Sequence, residues 1–292
     1  MIFETAAADA AIRSVAERDA SIGRILADMQ KITAEDATRI VARQAELGLR
    51  FGEAAQELGL VSASDVQQAL ASQFDYQYVA SGQSGFDPAL VAAREPFGDE
   101  AEMLRGLRSQ LSVRWFNGEH KALAVVAVDA STSAAVVSAN LAIAFAQQGQ
   151  RTVLVDANMR MPRQHALFGL QARTGLSDLL AGRTAAAGAL PVAPFDRLAL
   201  LCAGAQPPNP LELLGRDRFG ALNSALVRDF DVVLYDAPAF SGSADAYAVA
   251  ARAGGVLLVV GKRVARQAAL REIRAQLLRS GVEIVGSILV DF

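Results

Sequence analysis

The chain has 292 residues and carries 28 Lys+Arg against 31 Asp+Glu, a net charge of −3; that length suggests about two domains. Hydrophobic residues make up 52% and charged residues 20%, which excludes a disordered chain and a strongly basic nucleic-acid binder. Cys202 is the lone cysteine and His120 and His165 are the two histidines, so no internal disulfide or cysteine-based cluster can form and a histidine-rich metal site is not expected. The N-terminus has early acids and no apolar run, so no secretory signal is expected. No window of 18 apolar residues spans a membrane, and the expected address is the cytoplasm. The basic residues are nearly all arginine. Lys31, Lys121 and Lys262 are the only lysines.

An internal repeat opens the chain. Ser21–Gln44 and Arg50–Gln73 match at an offset of 29, aligning Ile22 with Phe51, Gly23 with Gly52, Thr33 with Ser62, Asp36 with Asp65 and Gln44 with Gln73. Thr33 with Asp36, and Ser62 with Asp65, place a hydroxyl three residues before an acid, the signature of a capped helix start. Each copy reads as helix, turn, helix, so residues 1–80 are expected to form a small all-helical domain. Residues 81–99 hold Gly82, Gly85, Pro88, Pro96 and Gly98 and read as a linker with one short helix around Pro88–Arg94. Glu100–Phe116 is helical again.

From Lys121 the pattern changes to strands alternating with helices. Strands are expected at Ala122–Val128, Arg151–Val155, Leu198–Cys202, Asp231–Tyr235, Gly255–Val260 and Glu283–Leu289. Helices are expected at Ala134–Gln148, Arg216–Arg228 and Ala265–Ser280. Residues 100–292 therefore read as an α/β domain with a doubly wound, mostly parallel sheet, whose ligand site lies at the carboxyl ends of the strands. Pro207–Pro210 reads as a rigid turn placing the next helix, and His165 as a residue that caps or packs a helix.

Strand, loop and helix over Ala122–Gln148 have the layout of a phosphate-binding loop, yet the loop itself lacks the parts. Such a loop needs glycines so that backbone N–H groups can wrap phosphates, a lysine for the terminal phosphates and a hydroxyl for magnesium. The segment VDASTSAAVVSANLA supplies none of them in place. Anchored on Ser138-Ala-Asn140-Leu-Ala142, it resembles the first motif of the bacterial tyrosine kinases of polysaccharide export, members of the deviant-Walker group of P-loop NTPases. Ser131, Thr132 and Ser133 then stand at Gly-Glu-Gly, Ala134 at the lysine and Ala135 at the Ser/Thr.

The resemblance continues in the family's order through RTVLVDANMRMPRQHALFGL, GLSDLLAGR (Gly175–Arg183), LLCAGAQPPNPLELL (Leu200–Leu214), FDVVLYDAPA (Phe230–Ala239), ARAGGVLLVVGKR and VGSILVDF. The free-standing kinases paired with chain-length determinants, the EpsG type, are the most similar. The resemblance implies ATP and magnesium as cofactors. Asp156 would activate the tyrosine hydroxyl or hold the magnesium hydration shell, and Asp236 would ligate the metal. The family's second acid is replaced by Asn158 and its adenine-recognising Asn by Val290. The family's C-terminal tyrosine cluster is not matched by Tyr76, Tyr78, Tyr235 or Tyr247, and the sequence ends at Phe292 just after the last strand.

Glu102, Arg105 and Arg108 resemble the family's ExxRxxR helix, which mediates self-association; from spacing alone a solvated face with an ion pair is the favoured reading. The repeat resembles the N-terminal domain of type II secretion and pilus ATPases, some of which bind cyclic di-GMP. Ile22, Gly23, Gln44, Arg50, Phe51, Gly52 and Gln73 would be the contacts, although Ser21 stands where the motif has Arg. The alternative is a helical docking module whose glycines serve tight packing.

The resulting expectation is a pseudokinase of exopolysaccharide synthesis or export. It would be a homo-oligomer, not inserted in the membrane, and peripheral to the inner membrane through a chain-length determinant. The rivals are an active tyrosine autokinase, a cyclic di-GMP receptor and a ParA-like positioning protein, the last disfavoured by the missing lysine.

Overall fold

The computed structural model describes residues 22–73, 77–79, 85–132, 134–172, 174–184, 188–264 and 266–291. Ser21, Tyr76, Ala80, the segment 81–84 of the expected linker, Ser133, Ala265 and Phe292 lie outside them. The chain divides into two compact units, residues 1–77 and 78–292.

The first unit contains α1 (residues 22–28), α2 (Ala34–Leu47), α3 (Phe51–Glu57) and α4 (Ala63–Gln73). Both expected caps form. Asp36 accepts the Thr33 backbone N–H while the Thr33 hydroxyl accepts that of Asp36, and Ser62 with Asp65 repeats the arrangement. Such caps are worth about 1 kcal/mol each. Gly48 ends α2 in the left-handed region at φ 66°, where a side chain would be strained. The core gathers Leu26, Ile40, Phe51, Ala54, Ala55 and Ala69.

The second unit holds seven strands in the order β3-β4-β2-β5-β1-β6-β7. They are β1 (Ala122–Ala127), β2 (Thr152–Asp156), β3 (Leu190–Val192), β4 (Phe195–Leu201), β5 (Val232–Ala237), β6 (Gly255–Gly261) and β7 (Glu283–Val290). Only β3 runs antiparallel, against β4. Strands β1, β2 and β5 are buried along their whole length, which is why they read as continuous apolar runs rather than alternating ones.

Helices cover both faces of this sheet. One face carries α7 (Ala134–Gln147), beneath α5 (Val91–Arg94) and α6 (Asp99–Arg114). The other carries α11 (Asp217–Asp229), α12 (Asp245–Ala253) and α13 (Gln267–Arg279). Twelve of the fourteen residues of α7 are buried, so it is apolar all round, as a helix between two layers must be.

The expected linker is corrected here. Residues 85–94 form a strap over α7, with Phe86, Leu90, Ala92 and Ala93 buried. Asn140 of α7 accepts from the Ala92 N–H at 2.9 Å and donates to the Ala89 carbonyl at 2.8 Å. The Gln147 amide donates to the Ala92 carbonyl at 2.8 Å. Phe86 meets Phe168 edge-on with centroids 5.5 Å apart. The glycines and prolines of this stretch bend a packed segment; they do not mark a free tether.

Five short elements fall outside the expected set: β3, α12, α8 (Gln164–Leu167), α9 (Leu176–Ala181) and α10 (Pro210–Leu214). Pro210 occupies the first turn of α10, where its missing N–H costs nothing, so the proline-rich turn does place the next helix.

Candidate functional site

The carboxyl ends of β1, β2 and β5 converge beside the N-terminus of α7. Asp156 ends β2 and faces Asp236 of β5 directly in register. The first is fully buried and the second nearly so. Two carboxylates this close and this dry are costly to ionise together. Burial pushes both well above the usual carboxylate range, and the charge of Asp236 raises Asp156 further.

The surrounding groups offset part of that cost. Oδ2 of Asp156 accepts the backbone N–H groups of Arg163 at 3.1 Å and Gln164 at 3.0 Å, where the chain turns into α8. The Gln164 side chain is fully buried. Its Nε2 donates to Oδ2 of Asp236 at 2.7 Å and to the Ala135 carbonyl at 3.0 Å, and lies 3.3 Å from the Ser138 hydroxyl. Oδ1 of Asp156 and Oε1 of Gln164 are buried without a hydrogen-bond partner among the described residues. Cys202, at the end of β4, has its thiol pushed up to about 11, first by burial and then by the Asp156 charge.

Above the pair lies a cleft of about 310 Å³ lined by Ser131, Thr132, Asn158, Arg160, Arg163 and Ser243 among others. The loop from β1 to α7 has no glycine and no lysine. Two of its backbone donors are already taken. The Ala130 N–H bonds the Ser241 hydroxyl at 3.0 Å, and the Thr132 N–H bonds the Asp129 carbonyl at 3.0 Å. Thr132 is buried against Gly261, where a methyl group would come within 2.3 Å of the threonine hydroxyl. Arg160 forks onto Asp245 of α12, at 2.7 and 3.2 Å.

A divalent cation fits these residues poorly. The site offers two acids, an alanine at 135, and an amide nitrogen already seated on Asp236. A hard cation requires acceptor oxygens turned towards it, and a donor nitrogen at 2.7 Å from the carboxylate oxygen takes the place such an ion would need.

The other expected contacts are dispersed. Glu102 pairs with Arg105 at 2.6 Å, while Arg105 also donates to the Pro96 carbonyl. Arg108 donates to the Ala144 carbonyl of α7 at 3.0 Å. This charged run therefore fastens α6 to the turn that precedes it and to α7. In the helical unit Ile22, Phe51 and Gly52 are buried, and Gln44 and Gln73 are half-buried. A methyl group on Gly23 would come within 2.9 Å of the Phe51 ring, and one on Gly52 within 2.7 Å of Val66. Both glycines serve helix packing, and only Arg50 of the seven presents an exposed face. Tyr235 is buried and bonds Asn223 at 2.8 Å, so it is closed to modification in the folded state. Val290 stays in the β7 backbone ladder, accepting the Lys262 N–H.

Gln164, Asp245 and the Arg163 N–H were not among the expected site residues. Gln164 precedes the buried Leu167 and Phe168 by three and four residues, a spacing that puts a polar side chain on the inward face of a short helix. That was the one available signal.

Among the described residues no helix is long and apolar enough to cross a membrane. No protein-family model matches the sequence. Individual relatives do. The tyrosine-protein kinase YwqD of Bacillus subtilis is 30% identical over 182 residues, covering 62% of this chain and 77% of the relative. The putative tyrosine-protein kinase CapB of Staphylococcus aureus is 28% identical over 211 residues, 72% of this chain and 92% of the relative. Tyrosine-protein kinase wzc of Salmonella typhimurium is 34% identical over 203 residues, but the chain spans only 28% of that relative's length. Among solved structures, the kinase domain of the Escherichia coli tyrosine kinase ETK superposes with a TM-score of 0.65 at 27% identity, covering 75% of this chain and 85% of that one. With the sheet order, the paired aspartates and these relatives together, the chain belongs to the bacterial tyrosine-protein kinase family.

Proposed function

We propose that this chain is a pseudokinase: a member of the family that keeps the fold and assembles with partners but does not transfer phosphate. The supporting observation is the combined state of the loop and the acid pair. Phosphoryl transfer rests on positioning and on charge placed around the phosphates. In a working loop free backbone N–H groups and a lysine supply that charge. Here Ala134 and Ala135 stand at the lysine and hydroxyl positions of a degenerate Walker loop. The Ala130 and Thr132 N–H groups are bonded within the protein, and the Gln164 amide sits on Asp236. Each feature removes a contact to triphosphate or its metal, and all act at one end of one sheet.

By family resemblance the process served is exopolysaccharide synthesis or export, and the partner is an inner-membrane chain-length determinant. The role is to bias polymer length or secretion through assembly. The test is incubation of the purified full chain with radiolabelled ATP and magnesium. The expected result is no label on tyrosine. Label that disappears in Asp156→Ala would overturn the reading in favour of an active autokinase. Capture of the chain by the cytoplasmic segments of the determinant is expected; failure to bind them would remove the assigned partner.

A further inference from the structure

The basic residues are unevenly placed. Residues 262–279 contain Lys262, Arg263, Arg266, Arg271, Arg274 and Arg279 against a single acid, Glu272. This stretch carries a net charge of +5 in a chain whose total is −3, leaving the remainder at −8. Lys262 is paired with Asp291 at 2.7 Å. The five arginines make no ion pair among the described residues, whereas Arg43, Arg105, Arg151, Arg160, Arg183 and Arg228 do.

The geometry arranges this charge on one outward face. In α13, Ile273 and Leu277 turn to the sheet and are buried. Outside that buried edge Arg271, Arg274 and Leu278 follow at i, i+3 and i+7, one exposed stripe of the helix, with Glu272 also exposed. All three are exposed, and so are Ala268 and Ala275 beside them. Leu278 is 58% exposed, and Val264, in the turn just before the helix, is 46% exposed. The surface is cationic with apolar points set among the charges. A soluble polyanion would satisfy the arginines and leave the leucine in water. A bilayer carrying anionic headgroups satisfies both: guanidinium groups meet phosphates while their stems and the leucine enter the interfacial layer.

We infer that α13 and the turn before it form a surface that binds anionic membrane directly. The helix lies flat on the headgroups, with Arg271 and Arg274 supplying charge and Leu278 the apolar contact. This attachment is independent of the nucleotide site and of any protein partner, and it holds whether or not the chain is a kinase. It is an electrostatic attachment, and salt weakens it over a screening distance of about 8 Å at physiological ionic strength.

The experiment is co-sedimentation of the full chain with vesicles of phosphatidylcholine alone or with phosphatidylglycerol added, at low and high salt. The expected result is binding to the mixed vesicles, none to phosphatidylcholine alone, and release by salt. The double variant Arg271→Gln, Arg274→Gln lowers partitioning roughly thirtyfold, about one headgroup attraction per charge removed. Leu278→Ser lowers it about tenfold through the lost apolar burial. All three side chains are exposed, so the variants are expected to melt with the parent, which thermal unfolding checks. No binding to the mixed vesicles, or unchanged binding by the arginine variant, overturns the inference. Unchanged binding by Leu278→Ser together with displacement by soluble polyglutamate also overturns it, in favour of an acidic protein partner.

Discussion

Replacing Asp156 by Asn is expected to stabilise this protein at neutral and alkaline pH. The carboxyl group is fully buried and faces Asp236 across adjacent strands. One oxygen accepts two backbone N–H groups, and the other has no partner among the described residues. The carboxamide keeps an oxygen for the two N–H groups and places a neutral donor where the partnerless oxygen stood. The carboxamide has no charge to bury beside Asp236, and a buried unpaired charge costs more than the roughly 1–3 kcal/mol of a neutral unsatisfied atom, so a gain of at least that size is expected above neutrality. For a unit of this size it corresponds to a rise of about 3–9 °C in melting temperature.

The sign with pH follows from linkage. The folded-state pKa of Asp156 lies above its unfolded value, so the folded state holds the proton more tightly. The contribution of this group is therefore fully present below its unfolded pKa of about 3.9, and is lost as pH rises towards the folded value. The advantage of the variant should be near zero at about pH 4 and grow upward from there. Urea unfolding of parent and variant across that range measures it. A variant less stable than the parent at every pH, or a difference independent of pH, would refute the view that an uncompensated buried carboxylate sits at this site.

Further outcomes follow from other parts of the fold. Leu90→Ala removes a fully buried side chain from the strap over α7 and is expected to cost about 2–5 kcal/mol, measured by urea unfolding; a cost below about 0.5 kcal/mol, the level of a surface substitution, would return residues 85–94 to the status of a linker. Gly52→Ala forces a methyl group to within 2.7 Å of Val66 and should destabilise the helical unit by about 1–3 kcal/mol, read as a loss of the circular dichroism of the full chain on heating; an unchanged melt would leave that glycine free for another role. Asp65 is held down to about 2 by Lys31 and then Ser62, so its contribution is present above the unfolded pKa of about 3.9 and is lost as pH falls towards 2; Lys31→Met should flatten that acid limb, and a parent-like acid profile in the variant would contradict it.

The central strands β1, β2, β5 and β6 were legible because burial on both faces leaves an unbroken apolar run; β4 and β7, partly exposed, were legible from their apolar residues in the strand–helix alternation. β3 was not, since Leu190–Val192 is an antiparallel edge of three residues containing a proline. Both helix caps of the repeat could be read from Thr33, Asp36, Ser62 and Asp65, because a capping box is a local interaction within four residues. The strap was misread for the complementary reason. Nothing within residues 85–94 signals that Asn140 and Gln147, about fifty positions away, take up its backbone groups. At the site, the two aspartates were found through the family resemblance of the motifs that carry them. Gln164 was not, because its significance depends on a fold that brings β5 and the start of α8 together.

The charged run on α6 shows how a motif and its function can separate. Arg105 reaches the Pro96 carbonyl and Arg108 the Ala144 carbonyl, so the first fixes the turn leading into α6 and the second holds α6 onto α7. Any contact that α6 makes with a second copy must then draw on what these bonds leave outside. Met103 is 66% exposed and Val113 77%, ten residues apart on the helix. Changing Arg108 would therefore disturb the α6–α7 packing before it disturbed assembly, and a loss of oligomers in such a variant would not by itself identify an interface residue. Met103→Glu with Val113→Glu leaves the internal bonds in place and isolates the outer face. If this face joins copies of the chain, that variant runs as a smaller species in sedimentation velocity at an unchanged melting temperature. An unchanged sedimentation coefficient would mean that the motif in this chain serves the fold alone.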